Sequence, residues 1–229
     1  MLVALLVACA AESSALRAAP QRLQRRAPAA RAAAEAIREP MIRLGHGYDI
    51  HRLDSRENAG QPIVIAGVRF DGSPGHAPDF ELGCVAHSDG DVIYHSVVDA
   101  ILGALTMPDI GCLFPDNDPR LRGADSSIFM EEAYKRMVAR DYRIGNCDVT
   151  LICQKPKVNV ENDAGESVKQ LMRENLSRLL HTPIECLNVK ARTHEKVDSV
   201  GECRRSSATS SSRSSARPRV TGATTDREM

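Results

Sequence analysis

The sequence predicts an α/β (α+β) fold in which a mixed sheet is covered by helices on one side. Three observations lead there. Short β-branched runs, such as Val149-Thr150-Leu151-Ile152, have the length and composition of strands. Three longer segments place apolar residues at helical spacing. The two kinds alternate along residues 41–202, the order expected of helices laid on a sheet.

In order, Ile42-Arg43-Leu44 opens a strand that delivers Asp49 and His51. At i and i+2 on extended backbone both side chains point to one face. Gly45 and Gly47 read as a turn ahead of that pair. Residues 62–70 read as a hairpin arm turned at Ala66-Gly67, and the Pro-, Gly- and His-rich residues 73–81 as a loop. Ser88 is the expected N-cap of the first helix, with Asp89 and Asp91 complementing its positive end. Val92, Val97, Val98, Ile101, Leu102 and Leu105 carry that helix to Met107-Pro108. Asp91, His95 and Asp99 form a polar stripe on the opposite face. Asp125 caps a second helix running to about Arg140, with Phe129, Ala133 and Met137 inward. Residues 147–153 are strand-like. A third helix spans residues 166–180, and residues 187–191 form the last strand.

The chain of 229 residues suffices for one domain with appendages. Lys+Arg and Asp+Glu balance at 30 each, so no global field favours nucleic acid. Beyond the first ten residues nothing approaches the roughly 18 apolar residues of a membrane span. Seven cysteines (9, 84, 112, 147, 153, 186 and 203) contain no C-x-x-C pair. They read as buried hydrophobes in a reducing compartment, not as a disulfide framework or a structural zinc finger.

The two ends differ from the middle. Residues 1–40 read as a targeting leader, a short apolar run followed by Arg17, Arg22, Arg25, Arg26 and Arg31 among alanines. A signal-like run before transit-like composition suggests a bipartite address to the plastid stroma through the secretory route. Residues 203–229 are mostly Ser, Arg, Thr and Ala, with Val220 the sole branched aliphatic residue. Such a tail buries too little apolar surface to offset chain entropy, so disorder is expected and the folded unit is residues 41–202.

Asp49, His51 and His95 form a two-histidine, one-carboxylate set. Three protein ligands with a fourth position open are what a catalytic Zn²⁺, or another divalent cation, requires. Such an ion acts as a Lewis acid on a phosphoryl or carbonyl oxygen or activates water. Asp109-Ile110-Gly111 and residues 114–119 are carboxylate-rich loops suited to orienting hydroxyls or an oxygen-seeking cation such as Mg²⁺, or to ordinary turns. Lys155, Lys157 and Lys190 are candidate phosphate contacts. Thr193 and Glu195 lie just past a strand end. No Walker loop, Rossmann glycine fingerprint or G-x-S-x-G elbow is present.

These motifs, in order, resemble the 2-C-methyl-D-erythritol 2,4-cyclodiphosphate synthase family of the non-mevalonate isoprenoid pathway. The stretches that carry the likeness are residues 45–51, residues 86–91 with His95, residues 109–111, residues 113–116, Gly145-Asn146, and residues 188–196. Thr193-His194-Glu195-Lys196-Val197-Asp198-Ser199 is similar to plastid versions. The resemblance implies a homotrimer with active sites at subunit boundaries. It implies a cytidine diphosphate substrate that is cyclised with release of CMP, Zn²⁺ on Asp49, His51 and His95, and Mg²⁺ or Mn²⁺ on the substrate diphosphate. By position it gives His87 and Thr193 catalytic roles. Ser88, Asp109 and Gly111 are its contacts to the methylerythritol phosphate part, and Ile50, Ile110, Phe114, Asp116 and Asp118 are further substrate-binding positions it implies. Cys153, Lys157, Val158, Asn159, Ala191, Arg192 and Glu195 surround the nucleotide. The chain departs from the family after Glu202, where relatives continue into a small-residue helix and an apolar segment. A shifted reading frame or a mis-joined exon produces such a break. A subunit lacking that element is expected to be a catalytically impaired nucleotide-binding or assembly subunit.

Overall fold

The computed structural model describes residues 39–213, and residues 1–38 of the leader and residues 214–229 of the tail lie outside the described residues. A five-stranded sheet runs in the order β4-β1-β7-β5-β6. The strands are β1 (Leu44–Ser55), β4 (Leu82–Val85), β5 (Asn146–Ile152), β6 (Leu187–Arg192) and β7 (Arg205–Arg213). Only β5 and β6 are parallel, so the sheet is mixed as expected. A small hairpin, β2 (Val64–Ile65) with β3 (Val68–Arg69), turns at Ala66 and Gly67, both at positive φ.

Helices α2 (Val92–Ala104), α4 (Ser127–Val138) and α5 (Val168–Leu180) build the core with one face of the sheet. The short helices α1 (Arg56–Ala59) and α3 (Ile110–Leu113) lie in the connections. In α5, Val168, Met172, Leu176, Leu179 and Leu180 are buried, as their spacing requires. Each such side chain, fully removed from water, contributes about 1.5–3 kcal/mol.

Gly45 and Gly47 are strand residues within β1, not a turn. Their role is spacing. A Cβ on Gly45 would lie 1.8 Å from the Ala100 carbonyl oxygen, and one on Gly47 would lie 1.9 Å from that of Ser96. Only hydrogen side chains let α2 settle this close to β1, and that contact brings His95 to the strand.

The N-cap of α2 is Asp91 rather than Ser88. Its carboxylate accepts from Ile93 N and Tyr94 N, and also from Ala66 N at 2.9 Å and Gly67 N at 2.6 Å. One buried side chain therefore caps the helix and fastens the β2–β3 turn to it. Asp125 does accept from Ser127 N at 2.8 Å, but the N-cap position of α4 belongs to Ser126.

The expectation that the folded unit stops at Glu202 does not hold. Residues 205–213 form the middle strand of the sheet, paired antiparallel with β1 on one side and β5 on the other. The physical reason is the backbone. Without β7, the facing N–H and C=O groups of β1 and β5 would be buried and unpaired, and any proline-free extended segment satisfies both ladders. Small side chains suffice where α2 crosses closely, and Ser210 Oγ meets Ser96 Oγ at 3.2 Å. Cys84, Cys147 and Cys153 are buried free thiols as expected, whereas Cys112 is exposed and Cys186 and Cys203 are half-buried, so the reading of the cysteines as buried hydrophobes holds only for the first three.

Candidate metal centre

Asp49 and His51 leave β1 on its helix-facing side, and His95 comes from the first turn of α2 to meet them. Asp49 Oδ2 lies 3.1 Å from His51 Nε2 and 3.2 Å from His95 Nδ1. The two imidazoles stand edge to face, 5.1 Å between centroids. One donor atom from each residue falls within 4.8 Å of the others. Asp49 Oδ2 and His51 Nε2 are buried yet have no hydrogen-bond partner among the described residues. A convergent carboxylate oxygen and imidazole nitrogen without partners are what a divalent cation satisfies. The three residues fit a zinc-type ion.

The electrostatics agree. Burial pushes the Asp49 carboxyl up, but His95 and His51 outweigh it and hold the group below the usual carboxylate range. Burial lowers His51, which keeps that ring neutral as a ligand must be. His95 is raised, because Asp49 beside it overcomes the effect of burial.

Around this centre the structure gathers the first set of sequence-predicted residues. Ser88 Oγ is 3.2 Å from His95 Nε2, and His87 Nε2 is 3.0 Å from the Asp118 carbonyl. Asp109 caps α3, which contains Ile110 and Gly111, by accepting from Cys112 N at 2.8 Å. Asp99 accepts from Ile110 N at 2.8 Å and so ties α3 to α2. The Phe114 ring lies 4.5 Å from that of Phe129, which lies 5.7 Å from His95. Asp118 is held down to about 2 by the Arg120 guanidinium, and Asp116 is exposed in the same loop. Ile50 sits between the ligands but on the other side of β1, opposite Ser207.

The second set lies just past the C-terminal ends of β5 and β6, at the level of the sheet where Asp49 and Leu151 both pair with Ala208. Cys153, Lys157, Val158, Asn159, Ala191, Arg192 and Thr193 line a cavity of about 140 Å³. Glu195 is tied to this set by accepting from Thr193 Oγ1 at 2.5 Å. Within one chain, the predicted catalytic residues His87 and Thr193 therefore belong to different sets. Lys190, a candidate phosphate contact, is instead paired with Asp148.

Sequence reasoning missed three residues beside the metal centre: Asp89, Ser126 and Phe129. Phe129 was read only as core, and Asp89 only as a helix-end charge. The signal that pointed to them was weak, since Ser126 is 31 residues from His95.

The YgbB family profile matches residues 42–212 of this chain. The chain belongs to the YgbB family. Among curated YgbB relatives it is similar to the rice (Oryza sativa subsp. japonica) protein named 2-C-methyl-D-erythritol 2,4-cyclodiphosphate synthase, chloroplastic. The two are 46% identical over 194 residues, 80% of this chain and 79% of the relative. The Arabidopsis thaliana protein of the same name is 48% identical over 163 residues, 71% of this chain and 62% of the relative, so the chain spans less than two thirds of that protein. Among solved structures, a Plasmodium falciparum IspF in complex with CDP aligns with a TM-score of 0.60 and 33% identity, covering 75% of this chain and 94% of the other. The YgbB match reaches residue 212 and so includes the β7 segment, where composition alone predicted a disordered tail.

Proposed function

We propose that this chain cyclises 4-diphosphocytidyl-2-C-methyl-D-erythritol 2-phosphate to 2-C-methyl-D-erythritol 2,4-cyclodiphosphate with release of CMP, in isopentenyl diphosphate biosynthesis. The observation that carries this reading is the convergence of Asp49, His51 and His95 on one point. The names of the relatives and the CDP held by the Plasmodium falciparum structure support it.

The reaction joins an oxygen of the substrate's 2-phosphate to the β-phosphorus of its diphosphate and breaks the bond to the CMP oxygen. A phosphate is already ionised near neutral pH, so the chain needs no strong general base. Its task is to hold nucleophile and phosphorus in line and to balance charge. Asp49, His51 and His95 hold a divalent ion that, when bound, supplies Lewis-acid polarisation of a phosphoryl oxygen. Mg²⁺ or Mn²⁺ accompanies the substrate diphosphate. Ser88, Asp109 and the Ile110-Gly111 backbone orient the methylerythritol phosphate, while His87 and Thr193 position the reacting groups. The cavity of residues 153–159 and 191–193 encloses the nucleotide, and Lys157 and Arg192 supply positive charge beside it.

The metal centre and the nucleotide cavity draw on different residues of one chain, which supports a homotrimer in which neighbouring copies complete each site. The open face of the sheet, with Leu44 and Tyr48 exposed, is available for contact. The plastid address of the relatives' names supports a plastid location, with residues 1–40 as leader. The decisive experiment incubates the zinc-loaded protein with the diphosphocytidyl substrate. CMP and a cyclic diphosphate are expected in equal amounts; inorganic phosphate instead would assign a hydrolase.

A further inference from the structure

Outside the three ligands, one chain of hydrogen bonds leads away from the metal centre and ends in the half-buried carboxylate of Asp89. Imidazole Nδ1 of His95 faces Asp49, and its other nitrogen, Nε2, lies 2.9 Å from Ser126 Oγ. Ser126 is fully buried. Its hydroxyl donates to Asp89 Oδ1, and its backbone N–H donates to Asp89 Oδ2 at 3.0 Å. Asp91 N donates to the same carboxylate at 3.0 Å.

The direction of this chain is fixed by chemistry. A carboxylate offers only acceptors, so the single proton of the Ser126 hydroxyl points at Asp89. Ser126 Oγ is then left with lone pairs toward His95, which favours the tautomer that carries the ring proton on Nε2. The Nδ1 lone pair is thereby directed at the point where Asp49 and His51 converge. We propose that Asp89 and Ser126 are positioning residues for the metal centre, a carboxylate–hydroxyl relay that sets the tautomer and ring orientation of His95. The inference rests on the metal-dependent reading above, though not on the identity of the substrate.

Asp89 also joins two parts of the fold. Its backbone N–H donates to the Ala124 carbonyl at 3.0 Å, so the segment before α2 and the segment before α4 are clamped where the relay crosses between them. The ligand from α2 is therefore oriented by the start of α4. A histidine ligand whose second nitrogen is left without such a partner typically loses 10–100-fold in metal affinity.

Zinc affinity of the full chain, measured by competition with a chromogenic chelator, tests the proposal without reference to turnover. Ser126→Ala keeps the backbone contact to Asp89 and removes only the hydroxyl; it is expected to weaken zinc about 10–100-fold, whereas Ser126→Thr restores affinity to within about threefold. Cobalt-substituted protein gives a second readout, since a reoriented His95 shifts the ligand-field absorption bands of Ser126→Ala but not of Ser126→Thr. Asp89→Asn, which weakens the acceptor without removing the hydroxyl, is expected to fall between them. Ser88 Oγ is the longer contact of Nε2, at 3.2 Å, so Ser88→Ala is expected to weaken zinc less than Ser126→Ala does, and a larger loss in Ser88→Ala overturns the relay. Wild-type affinity in Ser126→Ala, or equal losses in the Ala and Thr variants, overturns the relay. Wild-type protein that binds no zinc overturns it too, whereas protein that binds zinc but releases no CMP overturns only the proposed reaction.

Discussion

Strands β1 and β7 lie side by side in the sheet, yet they reach their places by opposite means. Every second residue of β1 has a specific task toward the helices: Gly45 and Gly47 admit α2, and Asp49 and His51 meet His95. β7 carries Ser206, Ser207, Thr209 and Ser210 into buried positions with little apolar surface to offer. β1 is specified by its side chains, and β7 by the two ladders of backbone groups waiting on either side. Tolerance to substitution should therefore differ sharply between neighbours in one sheet.

The largest expected effect is at Gly47. Gly47→Val forces a Cβ into the Ser96 carbonyl, so α2 must move away from β1. The fold should lose more than about 4 kcal/mol, the range reserved for severe backbone clashes. Urea unfolding measures it, and a variant with a wild-type midpoint would remove the claim that close approach dictates this glycine.

A smaller effect concerns the ion. His95 is raised by Asp49 while His51 is lowered by burial, so His95 is the first ligand to take a proton as pH falls. Protonation and metal binding compete for the same lone pair. Zinc retention should therefore be complete at alkaline pH and begin to fall at a higher pH than an ordinary histidine ligand would allow, because a raised pKa lets the proton compete earlier. Dialysis at stepped pH with metal analysis reads this directly. His95→Ala should retain no zinc at any pH, and a zinc-loaded His95→Ala would reassign the ligand set.

The contrast also explains what the sequence revealed. The ligands, the main helices and the Ala66-Gly67 hairpin were legible because periodicity and motif spacing are written into the residues that make them. Asp91 was mistaken for a supporting charge because its four backbone donors come from two separate segments, which no local window contains. Ser126 was missed for the same reason. β7 was misread because composition reports what a segment can bury, not what its neighbours need paired. Strand propensity is largely a measure of packing context, and β7 has a context that its residues do not advertise.

The smallest effect tests that last point from within β7. Thr209 lies between Tyr48 of β1 and Thr150 of β5, fully buried, and its hydroxyl has no hydrogen-bond partner among the described residues. An unsatisfied buried hydroxyl costs free energy that a methyl group of the same shape does not. Thr209→Val keeps the β-branched outline and leaves both backbone ladders intact. It should stabilise the protein by about 1 kcal/mol, which for a domain of this size raises Tm by roughly 2–4 °C. If backbone pairing holds β7 in place, removing the hydroxyl can only help. A Thr209→Val protein that melts lower than wild type would mean that the hydroxyl contributes to holding the strand, and β7 would then owe part of its place to its side chains after all.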